Sequence, residues 1–161
     1  MNSGTELRHP GVRFPPPFLY AAGFLAGLAL ERWAVRLPLA GPALRPAFVV
    51  AGWLGIILGL ALAGWGLATF FRARTAIVPI RPASRMVASG PYRFSRNPMY
   101  TGLAVLYTGL ALLLNVIWPL LLLPAVLAAV YLLVIRREER YLMAAFGNEY
   151  AEYCRNVRRW L

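Results

Sequence analysis

The sequence predicts an all-α, polytopic membrane protein. It forms a single domain over residues 1–161 with four transmembrane helices, the third and fourth a helical hairpin, followed by amphipathic cytoplasmic helices at the C-terminus. Three observations carry that prediction. The chain is 60% hydrophobic and only 14% charged, where a soluble domain averages about 45–50% apolar and about 25% charged residues. The apolar residues lie in long runs rather than amphipathic periods. The arginines, finally, are divided unequally between the two ends of those runs.

The first span runs from about Pro17 to Ala34, with Glu31 and Arg32 near its far end. The second, Ala47 to Phe71, has 25 residues without a charge, or about 37 Å of helix at 1.5 Å per residue. That exceeds a hydrocarbon core of about 30 Å, so tilt or interfacial overhang is expected. Met99 to Ile135 is one apolar stretch of 37 residues, too long for one crossing and suited to a tight hairpin. Asn115 is the expected turn and Trp118-Pro119 the interfacial start of the return helix, which Pro124 should kink. Ala51, Gly55, Gly59 and Ala63 form a small-residue ridge along the second span. Such ridges let a neighbouring helix approach closely, within one protomer or across a homodimer, so the chain is expected as a monomer or homodimer.

The net charge of +11 comes wholly from Arg, since the sequence has neither Lys nor Asp. The arginines flank apolar runs, which points to membrane lipids rather than nucleic acid as their partners. Fourteen of them fall in the N-terminal tail, in residues 72–98 and in residues 136–161, against three on the opposite side of a four-span arrangement. The positive-inside rule then places both termini and the 72–98 loop in the cytoplasm, for a multi-pass protein of a bacterial inner membrane. The N-terminus does not resemble a cleaved signal peptide. Cys154 is the only cysteine and His9 the only histidine, so no disulfide framework or cysteine metal site is expected within one chain, and no metal.

Beyond the fourth span, Arg136 to Phe146 continues with good helix formers, and Gly147 is a plausible C-cap. Asn148 to Leu161 reads as a second short helix. Its apolar stripe would be Tyr150, Tyr153, Val157 and Trp160 or Leu161, and it would lie on the membrane surface or over the cytoplasmic end of the bundle.

The polar residues that could carry chemistry are concentrated in Ser89-Gly-Pro-Tyr-Arg-Phe-Ser-Arg-Asn-Pro-Met-Tyr-Thr-Gly102 and in Glu138-Glu139. Asn97-Pro98 is a helix-start signal, and the amide end of such a helix attracts anions. Glu138 and Glu139 fall where the fourth span leaves the bilayer, on the same expected face. One reading of this acid pair is an ion-pair network with Arg93, Arg96, Arg136, Arg137 and Arg140. The other is a site for a zwitterion bearing an extra cation. Its carboxylate would sit at the helix start or on an Arg, its cationic centre on the rings of Tyr92 or Tyr100, and its amine or hydroxyl groups on Glu138. Either tyrosine can equally be an interfacial belt residue.

These two segments, with E-E-R-Y-L-M-A-A-F-G-N-E-Y-A-E-Y following the first, resemble the isoprenylcysteine carboxyl methyltransferase family, which has relatives among membrane phospholipid methyltransferases. The resemblance covers about residues 81–161. It implies transfer of a methyl group from S-adenosylmethionine within the membrane, without a Rossmann domain. It also implies cofactor contacts at Met86, Val87, Tyr92, Asn97, Pro98, Met99, Tyr100 and Glu138. Asn97 stands where the family frequently has His, which removes a titratable group. Val134 stands where eukaryotic members place an Arg one turn before the first Glu, so the acceptor half of the pattern departs from the family while the cofactor half survives.

The function expected is an S-adenosylmethionine-dependent methyltransferase acting on a lipophilic small-molecule or lipid acceptor. Glu139 is the candidate base for an amine or hydroxyl acceptor, and Arg96 and Arg136 are among the candidates to hold an anionic one. The alternatives are a phospholipid-amine or small-thiol methyltransferase on the same fold, or a non-enzymatic, lipid-binding membrane bundle.

Overall fold

A computed structural model describes residues 15–73 and 86–160. The tail holding His9, the middle of the 72–98 loop with the start of the 81–161 motif region, and Leu161 lie outside the described residues. The chain is helical: α1 (Pro16–Trp33), α2 (Arg45–Ala73), a 3-10 turn (Gly90–Arg93), α3 (Pro98–Leu114), α4 (Trp118–Val130), a π turn (Tyr131–Ile135) and α5 (Arg136–Asn156). Among the described residues there is no β-strand beyond a single isolated bridge between Ser95 and Arg158. Two helical stretches, Arg45–Ala73 and the continuous Trp118–Asn156, are long and apolar enough to cross a membrane, and Pro98–Leu114 is a shorter apolar helix.

Helix α2 inverts the usual pattern of burial. Its buried positions are Gly52, Ile56, Gly59, Gly66 and Thr69, while Trp53, Leu54, Ile57, Leu58 and Leu60 are exposed. A continuous face of large apolar side chains of that extent belongs against lipid. The small residues meet α3 instead. A Cβ on Gly59 would lie 2.5 Å from the Leu106 nitrogen, and one on Gly109 would lie 2.7 Å from the Ile56 nitrogen. The two backbones are therefore in contact along a glycine seam, which gains dispersion energy where lipid supplies no hydrophobic drive. The small-residue ridge thus packs within the chain, and its inner row is Gly52, Gly55, Gly59 and Ala63. Ala51 faces outward.

The hairpin between α3 and α4 turns at Asn115, the one described non-glycine residue with positive φ (61°). Its side chain accepts from the Ala40 amide at 2.9 Å and donates to the Ala40 carbonyl at 3.1 Å. The Arg45 guanidinium donates to the Leu112 and Leu113 carbonyls at 3.1 and 2.6 Å. This is the favourable placement of a cation at a helix C-terminus. The indole of Trp118 donates to the Val35 carbonyl at 2.7 Å. Helix α1 crosses α4 on Gly23, set against Val126, and Gly27, set against Pro119. Tyr20, Tyr107, Val126, Val130 and Ile135 form the buried core between them.

Helix α4 runs through Pro124 to Val130, and its hydrogen-bond register changes only at the π turn 131–135. A π turn inserts one residue into the helix and rotates everything beyond it. Gly147 breaks the helix that follows, at φ 50° and ψ −120°, a conformation open to glycine but distinct from the left-handed helical one of a C-cap. The second C-terminal helix, however, stops at Asn156 rather than reaching Leu161. Val157 is extended, and residues 157–160 pair with the Ser95 region instead. The helical spacing of Tyr150, Tyr153, Val157 and Trp160 therefore spans two different structures.

Candidate functional site

The polar residues converge at one end of the bundle, where the 3-10 turn, the start of α3, the start of α5 and the C-terminal segment meet. The 3-10 turn can lie close on α2 because Gly90 has φ 59° and no side chain. A Cβ there would be 2.7 Å from the Thr69 hydroxyl. Tyr92, on this turn, is buried, with its ring edge-on to Phe70 at a centroid distance of 5.2 Å. Burial pushes its hydroxyl well above the usual tyrosine range. Met99 lies against Gly66 of α2, the same small position that Tyr92 approaches.

Asn97 and Pro98 begin α3 as expected, both buried. The Asn97 side chain does not cap the helix, however. It donates to the Arg159 carbonyl at 2.9 Å, while its own amide donates to the Ser95 hydroxyl at 3.1 Å. Its carbonyl accepts from the Thr101 amide and hydroxyl. Asn97 is a link between α3 and the C-terminal segment, a use that needs an amide and not a titratable ring.

The π turn presents Glu138 and Glu139 about 100° apart around α5. They have different partners. Glu138 accepts both contacts of the Tyr100 hydroxyl, at 2.8 and 3.1 Å, and Tyr20 of α1 in turn donates to the Tyr100 carbonyl at 2.9 Å. Burial pushes the Glu138 carboxyl up to about 7. The Tyr100 hydrogen bond opposes that rise, and the Glu139 charge adds to it. Glu139 is held by two guanidiniums. Arg159 donates from Nε and Nη2 at 2.8 and 3.0 Å, and Arg96 from Nη1 at 3.2 Å. Both Glu139 oxygens are committed, so its geometry is that of an anchor rather than a base.

Arg96 also donates to Cys154 Sγ at 2.9 Å, and its buried Nε has no hydrogen-bond partner. An orphaned guanidinium N–H in a buried setting is costly unless a ligand uses it. Of the other arginines considered, Arg93 is exposed beside the Phe94 ring. Arg136 is also exposed, two residues before Glu138 and so about 200° round the helix from it. The structure does not bring Arg136 to the acid pair. Met86 and Val87 are half-buried in the segment leading to the 3-10 turn. Val134 is fully buried, so the position of the family's Arg carries no charge.

Three contributors were not foreseen in the sequence: Arg159, Tyr20 and Ser95. Arg159 lies in a segment whose spacing reads as helix, and Tyr20 acts through a backbone carbonyl of another helix, so no local pattern marks either. Among the described residues, no group of three or more His, Cys, Asp or Glu could hold a metal ion.

The fold and site together are those of an apolar helical bundle that gathers aromatic, acidic and guanidinium side chains at one end. The chain belongs to the phospholipid methyltransferase family, whose model matches residues 47–149, from the start of α2 to just past Gly147. It is similar to the cobalt-zinc-cadmium resistance protein CzcN of Cupriavidus metallidurans, with 35% identity over 103 residues, which is 63% of this chain and 47% of that protein. The chain thus spans about half the length of the curated relative it matches. No solved structure matches it significantly.

Proposed function

We propose that the protein is an S-adenosylmethionine-dependent methyltransferase that crosses the membrane four times, with both termini and the site on the cytoplasmic side, and acts on a lipophilic acceptor. One observation carries this reading. A buried carboxyl (Glu138), two tyrosines (Tyr92 and Tyr100) and an unpartnered guanidinium N–H (Arg96 Nε) gather at the end of an apolar bundle. That donor set fits a molecule with an ammonium, a carboxylate and a sulfonium.

Arg96 would hold the carboxylate, Glu138 the ammonium or ribose hydroxyls, and the rings of Tyr92 and Tyr100 the cationic sulfur. The bound cofactor supplies an electrophilic methyl group. The residues of this chain supply position and dryness. Tyr100 fixes the Glu138 carboxylate, and Tyr92, itself buried, faces it and helps to exclude water. For an amine acceptor, which must lose a proton, Glu138 is better suited than Glu139 to accept it, because its proton affinity lies near neutral pH and its oxygens are not clamped by guanidiniums. The exposed apolar faces of the helices give a lipid acceptor lateral access.

Calorimetric titration of the purified full-length protein in nanodiscs with S-adenosylmethionine tests the reading, together with transfer of labelled methyl groups to a lipid extract. Binding accompanied by a labelled lipophilic product is expected. No binding at millimolar cofactor sinks the proposal and leaves the lipid-binding bundle.

A further inference from the structure

The C-terminal residues 157–160 make a strap across the site, with contacts of several independent kinds. Arg158 bridges Ser95, and its carbonyl accepts from the Arg96 amide at 2.9 Å. The Arg159 carbonyl accepts from Asn97 Nδ2, and its guanidinium grips Glu139 through two nitrogens. That guanidinium also lies over the Tyr131 ring of the π turn, at 5.1 Å. Trp160 packs against the buried core. The match to the family model ends at residue 149, so the strap residues themselves lie outside the matched span.

Arg159 thus touches three of the elements that build the site: the start of α3, the π turn and α5. Glu138 and Glu139 are adjacent on α5 and point in different directions, so the grip on one sets where the other points. The two-nitrogen fork to Glu139 fixes orientation as well as distance, which a single contact such as that of Arg96 does not. We propose, resting on the methyltransferase reading for the identity of the ligand, that Arg159 is a positioning residue: from the strap it holds Glu139 and Asn97 so that Glu138 stays turned to Tyr100 and competent to bind the cofactor.

The groups facing Glu138 make this role measurable. Tyr100 faces it from α3, Tyr92 from the 3-10 turn and Glu139 from its own helix, and Tyr20 of α1 faces Tyr100. Glu139 is itself compensated by Arg96 and Arg159, with Tyr150 beside it, Tyr131 beside Arg159, and Tyr153 and Cys154 beside Arg96. Without Arg159, more of the Glu139 charge bears on Glu138, which then holds its proton to higher pH. The charge of Arg159 sets that midpoint, and the positioning role is read from the affinity that a lysine, which keeps the charge without the fork, fails to restore.

The experiment uses the full-length protein in nanodiscs with two readouts across pH. One is calorimetric binding of S-adenosylmethionine. The other is the infrared carboxyl titration of the ligand-free protein, with Glu138→Gln assigning the band. Arg159→Gln is expected to weaken binding by about tenfold, the order of one charge-assisted hydrogen bond, and to move the Glu138 midpoint upward. Arg159→Lys keeps the charge but loses the fork, so it restores the midpoint and only part of the affinity. Arg155→Gln removes the same charge from an exposed position of α5 and changes neither. Wild-type affinity in Arg159→Gln, or weaker binding with an unmoved midpoint, overturns the proposal. If Arg159→Gln does not fold, Arg159→Lys decides, and wild-type affinity in that variant overturns it. If the wild-type protein binds no S-adenosylmethionine, the functional reading fails, whereas wild-type binding that Arg159→Lys retains in full overturns the positioning role alone.

Discussion

Helix α3 has an asparagine at each end, and the two ends behave differently. At Asn115 the polar side chains are spent on backbone. The amide pairs with both groups of Ala40, Arg45 covers two terminal carbonyls, and Trp118 finds the Val35 carbonyl. At Asn97 the asparagine reaches a carbonyl of the far C-terminus, while carboxylates, guanidiniums and phenols face one another. One guanidinium N–H there has no partner, and one carboxyl resists ionisation. The first arrangement closes a turn. The second keeps interaction capacity in reserve, which is what distinguishes a binding site from a cap.

The contrast can be broken most directly at Glu138. Glu138→Gln is expected to weaken S-adenosylmethionine binding by about a hundredfold, the upper range for one hydrogen-bonded charge in a buried site, and calorimetry checks it. The same variant should be more stable than wild type without ligand. Because the folded pKa is raised from 4.5 to about 7, ionising Glu138 costs the native state stability progressively as pH rises through that window, and the amide removes the cost. A gain of up to about 3 kcal/mol at pH 8 is expected from the linkage, read as a higher thermal midpoint.

At the other end, Asn115→Ala should do the reverse. Loss of the Ala40 pair and of a residue tolerant of φ 61° is expected to cost about 2 kcal/mol of stability, with cofactor affinity unchanged. An affinity loss there would show that the two ends are coupled. The pH dependence of binding is a smaller and more specific test. Ionised Glu138 is the form that meets a cation, so affinity should rise with pH up to about 7 and level off above it, by up to about tenfold per unit below the midpoint. The smallest effect expected is for Arg45→Gln, about 0.5–1 kcal/mol from the helix terminus it covers, again with binding intact.

The bundle end at Asn115 was largely legible in the sequence. The helix-start and helix-stop signals, the apolar runs and the turn at Asn115 are local, and local chemistry decides them. Gly147 is of the same kind. The site was legible in its membership more than in its wiring. Tyr92 and Tyr100 lie beside Glu138, and Arg96 beside Glu139, but Asn97 turns its side chain away from the helix it begins, Glu139 is clamped, and Arg136 faces out. Those outcomes depend on the one-residue offset of the π turn and on a strap pairing with residues some sixty positions earlier. Neither leaves a periodic trace. The family resemblance pointed to Tyr92, Tyr100 and Glu138, whereas Arg159 lies outside the matched region.

The glycine seam has a consequence of a different kind. Two rows of meshed backbones act as a vernier, because sliding α3 along α2 by a fraction of a turn would drive Leu106 or Ile56 into the places that Gly59 and Gly109 leave open. The height of the α3 N-terminus is therefore indexed from the middle of the bundle. Tyr100 is carried to the level of Glu138 by contacts that contain no polar side chain at all.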